Sequence, residues 1–383
     1  MPRTSASVSS PVRTAPVLAV LVCHNGQPWL PDVLAALPEG TVRPRHVLAV
    51  DTGSTDDTPE LLARAAEDGV VDGVLTLPID TGYAAAVTAA VEAGLDRWGD
   101  PGSWLWLLHD DSAPDPDCLD LLLRAADTAS SAAMLGPLAV DWSDPRLVVE
   151  SGLSTDASGH RRQVDTRALG DGTPEQTTEV LAVPSAGALV SRAAWDDLGG
   201  FDTGIPLLRE DLDFGWRANA SGRVVLCVPR ARVRHARAVT TRQRSAHAGG
   251  GPAAGLERVH GTRTVLVNRA GSGFLLGLVA LPALCLVRML VFALLRDGER
   301  ARAEWAAVRA IAGGVRDLRR ARARRPHRGS LPGLYTGTVG RCRAGLRRLV
   351  VRLVRGNTDD GTDTPARGDP ADLTDPTDAA GPG

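Results

Sequence analysis

Lysine is absent from all 383 residues, so each of the 43 basic side chains is an arginine. That bias reads as a GC-rich coding sequence rather than a function. An excess of one charge is missing too. The arginines nearly balance 45 carboxylates, for a net charge of −2, which removes any global case for a nucleic-acid partner. Cysteines are few. Cys23, Cys118, Cys227, Cys285 and Cys342 are scattered, odd in number and lack a Cys-x-x-Cys spacing. They fit reduced cytosolic thiols, not a disulfide frame or zinc site. No Gly-x-Gly-x-x-Gly follows the first apolar run, which disfavours a dinucleotide-binding fold; Gly271-Ser272-Gly273 opens an apolar run and is a decoy. Residues 1–15 are Ser/Thr/Pro-rich and hold no apolar core of signal-peptide length, so the working part is expected to face the cytoplasm.

What is present is a large apolar fraction, 43%, with frequent glycine and proline. The length suits two or three ordinary domains, or one large domain with appendages. Residues 104–116 are the organising stretch. Five apolar residues run into His109, Asp110 and Asp111, and a Ser-Ala-Pro turn ends the run. That pattern is a buried strand with acidic residues at its carboxyl end, where open α/β sheets bind ligands. Paired carboxylates and an imidazole suit Mg²⁺ or Mn²⁺ on a diphosphate. The plain alternative is that the two aspartates only start the next turn.

Other strands are expected at 16–22, 46–50, 74–77, 133–140, 180–184, 224–228 and 231–235. Helices are expected at 29–37, 59–66, from just after Gly82 to about 95, and at 117–128, 192–198 and 210–219. The alternation predicts a doubly wound, largely parallel α/β sheet. Residues 144–178 read as a polar excursion, and 241–270 as a loop or linker. Residues 271–295 are the longest apolar stretch, able to span roughly 37 Å as a helix against a hydrocarbon core of about 30 Å. They read as a membrane segment, spanning or re-entrant with a break at Pro282; the alternative is a buried or surface amphipathic helix pair. Residues 296–355 are Arg-rich and helical in character, matching an anionic cytoplasmic leaflet. Residues 356–383 read as a disordered tail.

Acidic residues sit at predicted strand ends or helix starts: Asp51, Asp80, Asp110 with Asp111, and Glu210, Asp211 and Asp213. His235 ends a late strand. Residues 17–236 resemble a family 2 glycosyltransferase of the GT-A fold, with a mixed doubly wound sheet. The matching pieces are Val20-Leu21-Val22-Cys23-His24-Asn25, Val50-Asp51-Thr52-Gly53-Ser54-Thr55-Asp56, Asp80-Thr81-Gly82-Tyr83 and His109-Asp110-Asp111. They continue with Ser185-Ala186-Gly187-Ala188, Gly199-Gly200-Phe201-Asp202 and Glu210-Asp211-Leu212-Asp213-Phe214-Gly215-Trp216-Arg217. The branch it is most similar to comprises bacterial rhamnosyl- and galactofuranosyltransferases of the cell envelope.

The resemblance implies roles. Asn25, Asp51, Asp80, Gly82 and Asp110 would contact the donor nucleotide. Asp111 and His235 would bind the divalent metal. His109 stands where the family has the first Asp of Asp-x-Asp; it could coordinate, bond to phosphate or fill space. Asp211 would be the general base of an inverting transfer, with Gly187, Glu210, Trp216 and Arg217 on the acceptor side. The expected activity moves a sugar from a nucleoside diphosphate to a hydroxyl of an envelope glycan or lipid-linked acceptor, at the cytoplasmic face of the membrane. The rivals are a polyprenyl-phosphate glycosyltransferase and an inactive sugar-binding scaffold at the membrane.

Overall fold

The structure, a computed structural model, describes residues 13–163, 176–246, 251–325 and Leu331. All lie in one unit, Met1–Gly337. Expectations for residues 1–12 and for the tail at 356–383 fall outside the described residues. So does most of the stretch after Arg325, including Cys342.

The strands are β1 (Arg13–Cys23), β2 (Val42–Asp51), β3 (Gly73–Thr76), β4 (Trp104–His109), β5 (Ser112–Pro114), β6 (Ala132–Asp141), β7 (Val148–Glu150), β8 (Leu153–Thr155), β9 (Arg161–Gln163), β10 (Thr178–Glu179), β11 (Leu189–Ser191) and β12 (Val224–His235). The helices are α1 (Leu30–Ala36), α2 (Thr58–Glu67), α3 (Tyr83–Trp98), α4 (Cys118–Thr128), α5 (Arg192–Leu198), α6 (Glu210–Ala220), α7 (Ala253–Asn268), α8 (Gly273–Leu294), α9 (Gly298–Gly313) and α10 (Val315–Ala323). The main sheet runs β10-β12-β6-β11-β4-β1-β2-β3, with β5 on β12 and β7 on β6. β1 is parallel to β2 and β4, and β6 to β12, while β11 runs antiparallel between β4 and β6. The sheet is therefore mixed, as the fold class requires.

Both faces of the sheet are covered, and the side chains sort by strand parity. Along β1, Val17, Ala19, Leu21 and Cys23 join one core with Leu30, Leu62 and Leu122. Leu18, Val20 and Val22 join the opposite core with Val87, Ala90, Phe201 and Phe214. A third core gathers Leu212 and Trp216 of α6, Val265 to Val267 of α7, Phe274 and Leu281 of α8, and Ile311 of α9.

Four local expectations are corrected. The apolar run at 180–184 is buried but carries only an isolated bridge, Leu153 to Ala182. The strand comes after it, as β11, beyond the turn at Gly187, whose φ is +83°. The two strands expected at 224–228 and 231–235 are one, with a register shift between Val228 and Arg232, where Pro229 interrupts the ladder. The expected linker 241–270 contains α7. Its helical pattern was masked because Arg258, His260, Thr262, Thr264 and Asn268 are buried beside its apolar residues. Finally, α8 runs unbroken through Pro282, so there is no re-entrant break. Its stripe Phe274, Gly277, Leu281 and Cys285 is buried and holds the helix across the proline. Leu275, Leu276, Val279, Val287 and Leu290 face outward. α8 is long and apolar enough to cross a membrane by length and composition.

Candidate active site

The parallel strands end together. Val22 of β1 lies in register with His109 of β4, and Cys23 with Asp51 of β2. The antiparallel pairing of β5 sets His235 of β12 opposite Ser112, the residue after Asp111. A late histidine is thereby brought to a carboxylate well over a hundred residues earlier in the chain. One cleft at this edge is lined by His109, Asp110, Asp111, Glu210, Asp211 and His235. It is also lined by Glu150, Arg161, Arg209, Arg244 and Glu257, which the sequence reading did not single out.

His109, Asp111 and His235 are the metal-competent group among the described residues, with ligand atoms within 4.8 Å of one another. Asp111 Oδ1 lies 3.6 Å from His235 Nε2 and 3.9 Å from His109 Nδ1, and makes no hydrogen bond. Its other oxygen accepts the Ala238 N–H at 2.8 Å. Burial opposes its charge, but His235 outweighs this and holds the carboxyl well below the usual range. Burial, reinforced by His235, lowers His109 to about 4, so its ring is neutral and can donate a lone pair. His109 Nε2 sits 3.1 Å from Ser185 Oγ. Burial works against a proton on His235, yet Asp111 and Glu150 raise it to about 9. With the His235 proton released on binding, the orphaned Asp111 oxygen and the two imidazoles make a donor set that fits a divalent cation such as Mn²⁺.

Glu210 and Asp211 open α6 and face the same cleft. Burial, then the neighbouring Asp211, pushes Glu210 up to about 8. Burial also raises Asp211, with Arg161 acting against it. Asp211 Oδ1 accepts the Leu212 N–H at 2.6 Å. Glu150 bonds Arg161 through one oxygen and lies 3.5 Å from His235 Nδ1 with the other. Arg209, just before α6, has φ +89°, and Leu208 has φ +63°. His260 of α7 pins this strained turn, its Nδ1 lying 2.6 Å from the Leu207 carbonyl.

Of the other expected site residues, some already have protein partners and some stand outside the cleft. Asp110 is in the cleft, but its Oδ2 already accepts the His24 N–H at 2.7 Å and Arg244 Nη1 at 2.6 Å. Asp51 ends β2 beside the cleft and accepts the N–H of Ser54, three residues on, which closes the turn after the strand. Asn25 ties that loop down, accepting the Thr55 N–H at 2.8 Å. Asp80 is exposed at the surface. Gly82 does permit a close approach, but to Pro206, whose carbonyl would lie 2.5 Å from an added Cβ. Gly187 supports the sheet, its carbonyl accepting Trp106 Nε1 at 3.1 Å. Trp216 is 1% exposed in the third core, since positions 212 and 216 share the α6 face turned toward α7. Arg217 bonds Asp213 and the Leu198 and Gly200 carbonyls, so it braces α6 instead of meeting an acceptor.

Glu150 and Arg161 come from the segment read as a polar excursion, and Arg244 and Glu257 from the one read as a loop or linker. Only tertiary packing brings them to the cleft. Arg209 carried one signal that could have found it: a charged residue directly before the Glu-Asp pair.

The family model for glycosyltransferase-like family 2 matches residues 15–248. The chain is 30% identical over 239 residues to an N-acetylglucosaminyl-diphospho-decaprenol L-rhamnosyltransferase of Mycobacterium tuberculosis, covering 58% of this chain and 76% of that protein. Among solved structures it is similar to GalNAc-T7 with UDP, GalNAc and Mn²⁺, at 17% identity and TM-score 0.48. That likeness covers 68% of this chain and 48%, about half, of the other. It is also similar to residues 1–349 of S. aureus TarS with UDP-GlcNAc, at 15% identity and TM-score 0.48, covering 80% and 87%. With the family matched over more than half of its length, the chain belongs to the family 2 glycosyltransferases.

Proposed function

We propose that this enzyme catalyses an inverting, metal-assisted transfer of L-rhamnose from a nucleoside diphosphate to a hydroxyl of N-acetylglucosamine on a prenyl diphosphate. The donor and acceptor classes follow the name of the mycobacterial relative. The observation that carries the chemistry is that His109, Asp111, His235 and Asp211 line one cleft.

The carboxylate of Asp211 takes the proton of the acceptor hydroxyl. The acceptor oxygen bonds to the anomeric carbon, and the bond from that carbon to the diphosphate oxygen breaks on the opposite face. Burial raises the pKa of Asp211, which strengthens it as a base. A divalent cation, Mg²⁺ or Mn²⁺, held by His109, Asp111 and His235 would neutralise charge on the departing diphosphate. Asp110 and Asp51 are the donor-side carboxylates in this reading, with Arg244 beside the former. A phosphate acceptor would need no base, so the buried carboxylate in the cleft favours a hydroxyl acceptor.

The membrane assignment rests on α8. Its exposed apolar residues lie next to the arginines of α9 and α10, which suits an anionic cytoplasmic leaflet. α9 packs back along α8, and Glu304 bonds Arg288 at 2.6 Å. A spanning α8 would carry this charged partner into the hydrocarbon, so a helix lying in the interface fits better than one crossing it.

The test is Asp211→Asn, assayed with a nucleoside-diphosphate L-rhamnose. Turnover should be lost while metal-dependent donor binding, measured by calorimetry, remains. Wild-type turnover in that variant would refute the base assignment, and no metal-dependent binding by the wild type would favour an inactive scaffold.

A further inference from the structure

We propose that Arg209 and Arg161 form an anion subsite on the acceptor side of the cleft, which holds a phosphate of the lipid-linked acceptor. This deepens the proposed reading and rests on its acceptor class.

Arg209 is 7% exposed, and its Nε and Nη1 have no hydrogen-bond partner. The carboxylate nearest its other nitrogen is Glu257 of α7, at 3.7 Å, beyond hydrogen-bond length. Arg161 is anchored on Glu150 through Nη2, while its Nε is also unpartnered. Both side chains line the cleft. Buried N–H donors left without an acceptor destabilise the fold. The chain also accepts two left-handed non-glycine residues, Leu208 and Arg209, to hold this guanidinium where it is. A fold that keeps strained backbone and orphaned donors at one point is built around something that completes them. The planar guanidinium fork matches phosphate oxygens.

Arg209 marks the acceptor side of the cleft, while Arg161 reaches toward the leaving-group side through Glu150, which lies 3.5 Å from His235. The metal-competent trio sits at the ends of β4 and β12. Arg209 adjoins Glu210 and Asp211, where the acceptor hydroxyl must lie to lose its proton. A groove of about 620 Å³ shares Val239, Thr240, Arg244 and Glu257 with the cleft and reaches Glu299 in the first turn of α9. Just before that turn, Leu294 and Leu295 at the end of α8 are 84% and 70% exposed. The groove is polar, with Arg242 paired to Glu299, so it suits the phosphate end of the acceptor, and a lipid tail would lie beyond it on the exposed apolar end of α8.

The test compares two acceptors with the same nucleoside-diphosphate L-rhamnose: farnesyl-diphospho-N-acetylglucosamine and octyl N-acetylglucosaminide, which lacks phosphate. Arg209→Gly suits the positive φ and removes the guanidinium. In that variant the preference for the diphosphate acceptor, as a ratio of kcat/KM values, should fall at least roughly tenfold. Arg161→Gln should lower the same ratio and serves as the reading if Arg209→Gly does not fold. Equal losses on both acceptors would overturn the subsite, since a donor or purely structural role acts on both alike. A wild-type enzyme with no preference between the acceptors would overturn it as well, leaving the proposed transfer intact. If the wild type used neither acceptor, the functional reading itself would fall.

Discussion

Among the described residues, two regions bury charge and treat it differently. Where α6 meets α7, α9 and α10, the charges are matched. Asp213 is fully buried and accepts from Arg217 at 2.9 Å, Arg325 at 3.0 Å and Asn268 at 2.8 Å. Glu304 takes Arg258 at 2.8 Å and Arg288 at 2.6 Å. A few atoms there, such as Arg325 Nε, also lack a partner. In the cleft, orphans gather on the chemistry itself: Asp111 Oδ1, Glu150 Oε2, Glu210 Oε2 and three guanidinium nitrogens of Arg161 and Arg209. Buried polar groups are normally satisfied, so their failure at one edge marks the edge that waits for a ligand. The helical cluster fixes architecture, whereas the cleft stores unmet bonding capacity.

Substitutions should separate the two regions. The largest effect is expected from Asp211→Asn: turnover should fall by about 10²–10⁴-fold, with little change in melting temperature. Glu304→Ala should do the reverse. Removing one partner from a buried ion-pair network costs about 3–5 kcal/mol of stability. Chemical denaturation should show that loss, while turnover per folded molecule changes far less. If Glu304→Ala lost turnover without losing stability, the division between the regions would be wrong. Asp111→Asn should act on neither scale alone. It should abolish the rise in melting temperature that Mn²⁺ and a nucleoside diphosphate together give the wild type, and leave the unliganded melting temperature within a few degrees.

The division also explains what was legible in the sequence. Strands β1, β2, β4 and β6 were readable because they are apolar runs closed by turn residues; the acidic ends of β2 and β4 named Asp51 and Asp111, and the carboxylates that open α6 named Asp211. Local pattern placed each of these correctly at a strand end or helix start. It could not say which carboxylates look into the cleft. Asp211 and Asp213 lie two apart on one helix, yet the first lines the cleft and the second anchors α10 through Arg325. Trp216 and Arg217 sat in a motif and were given its function, but helical geometry turns both away from the cleft. α7 was missed because its buried polar residues break the amphipathic pattern, and three of them, Arg258, His260 and Asn268, bond partners far away in the chain. Arg258, for example, needs Glu304.

The smallest effect tests the cleft through pH. Glu210 is buried, with its pKa raised to about 8, first by burial and then by Asp211. In the unfolded chain it titrates near its ordinary value of about 4.3. The folded state therefore binds this proton more tightly than the unfolded state. Its stabilising contribution is complete below the unfolded value and is lost as pH rises through about 8. Carboxylates held down by partners, such as Glu150 and Glu304 at about 2, act at the other end, losing their contribution as pH falls below about 4. Glu210→Gln removes the rising-pH penalty and leaves the others in place. The melting temperature of the variant, minus that of the wild type, should become more positive from pH 5 to pH 8. A difference that stays flat over that range would mean Glu210 is already ionised and paired, and the cleft would then resemble the helical cluster it is contrasted with.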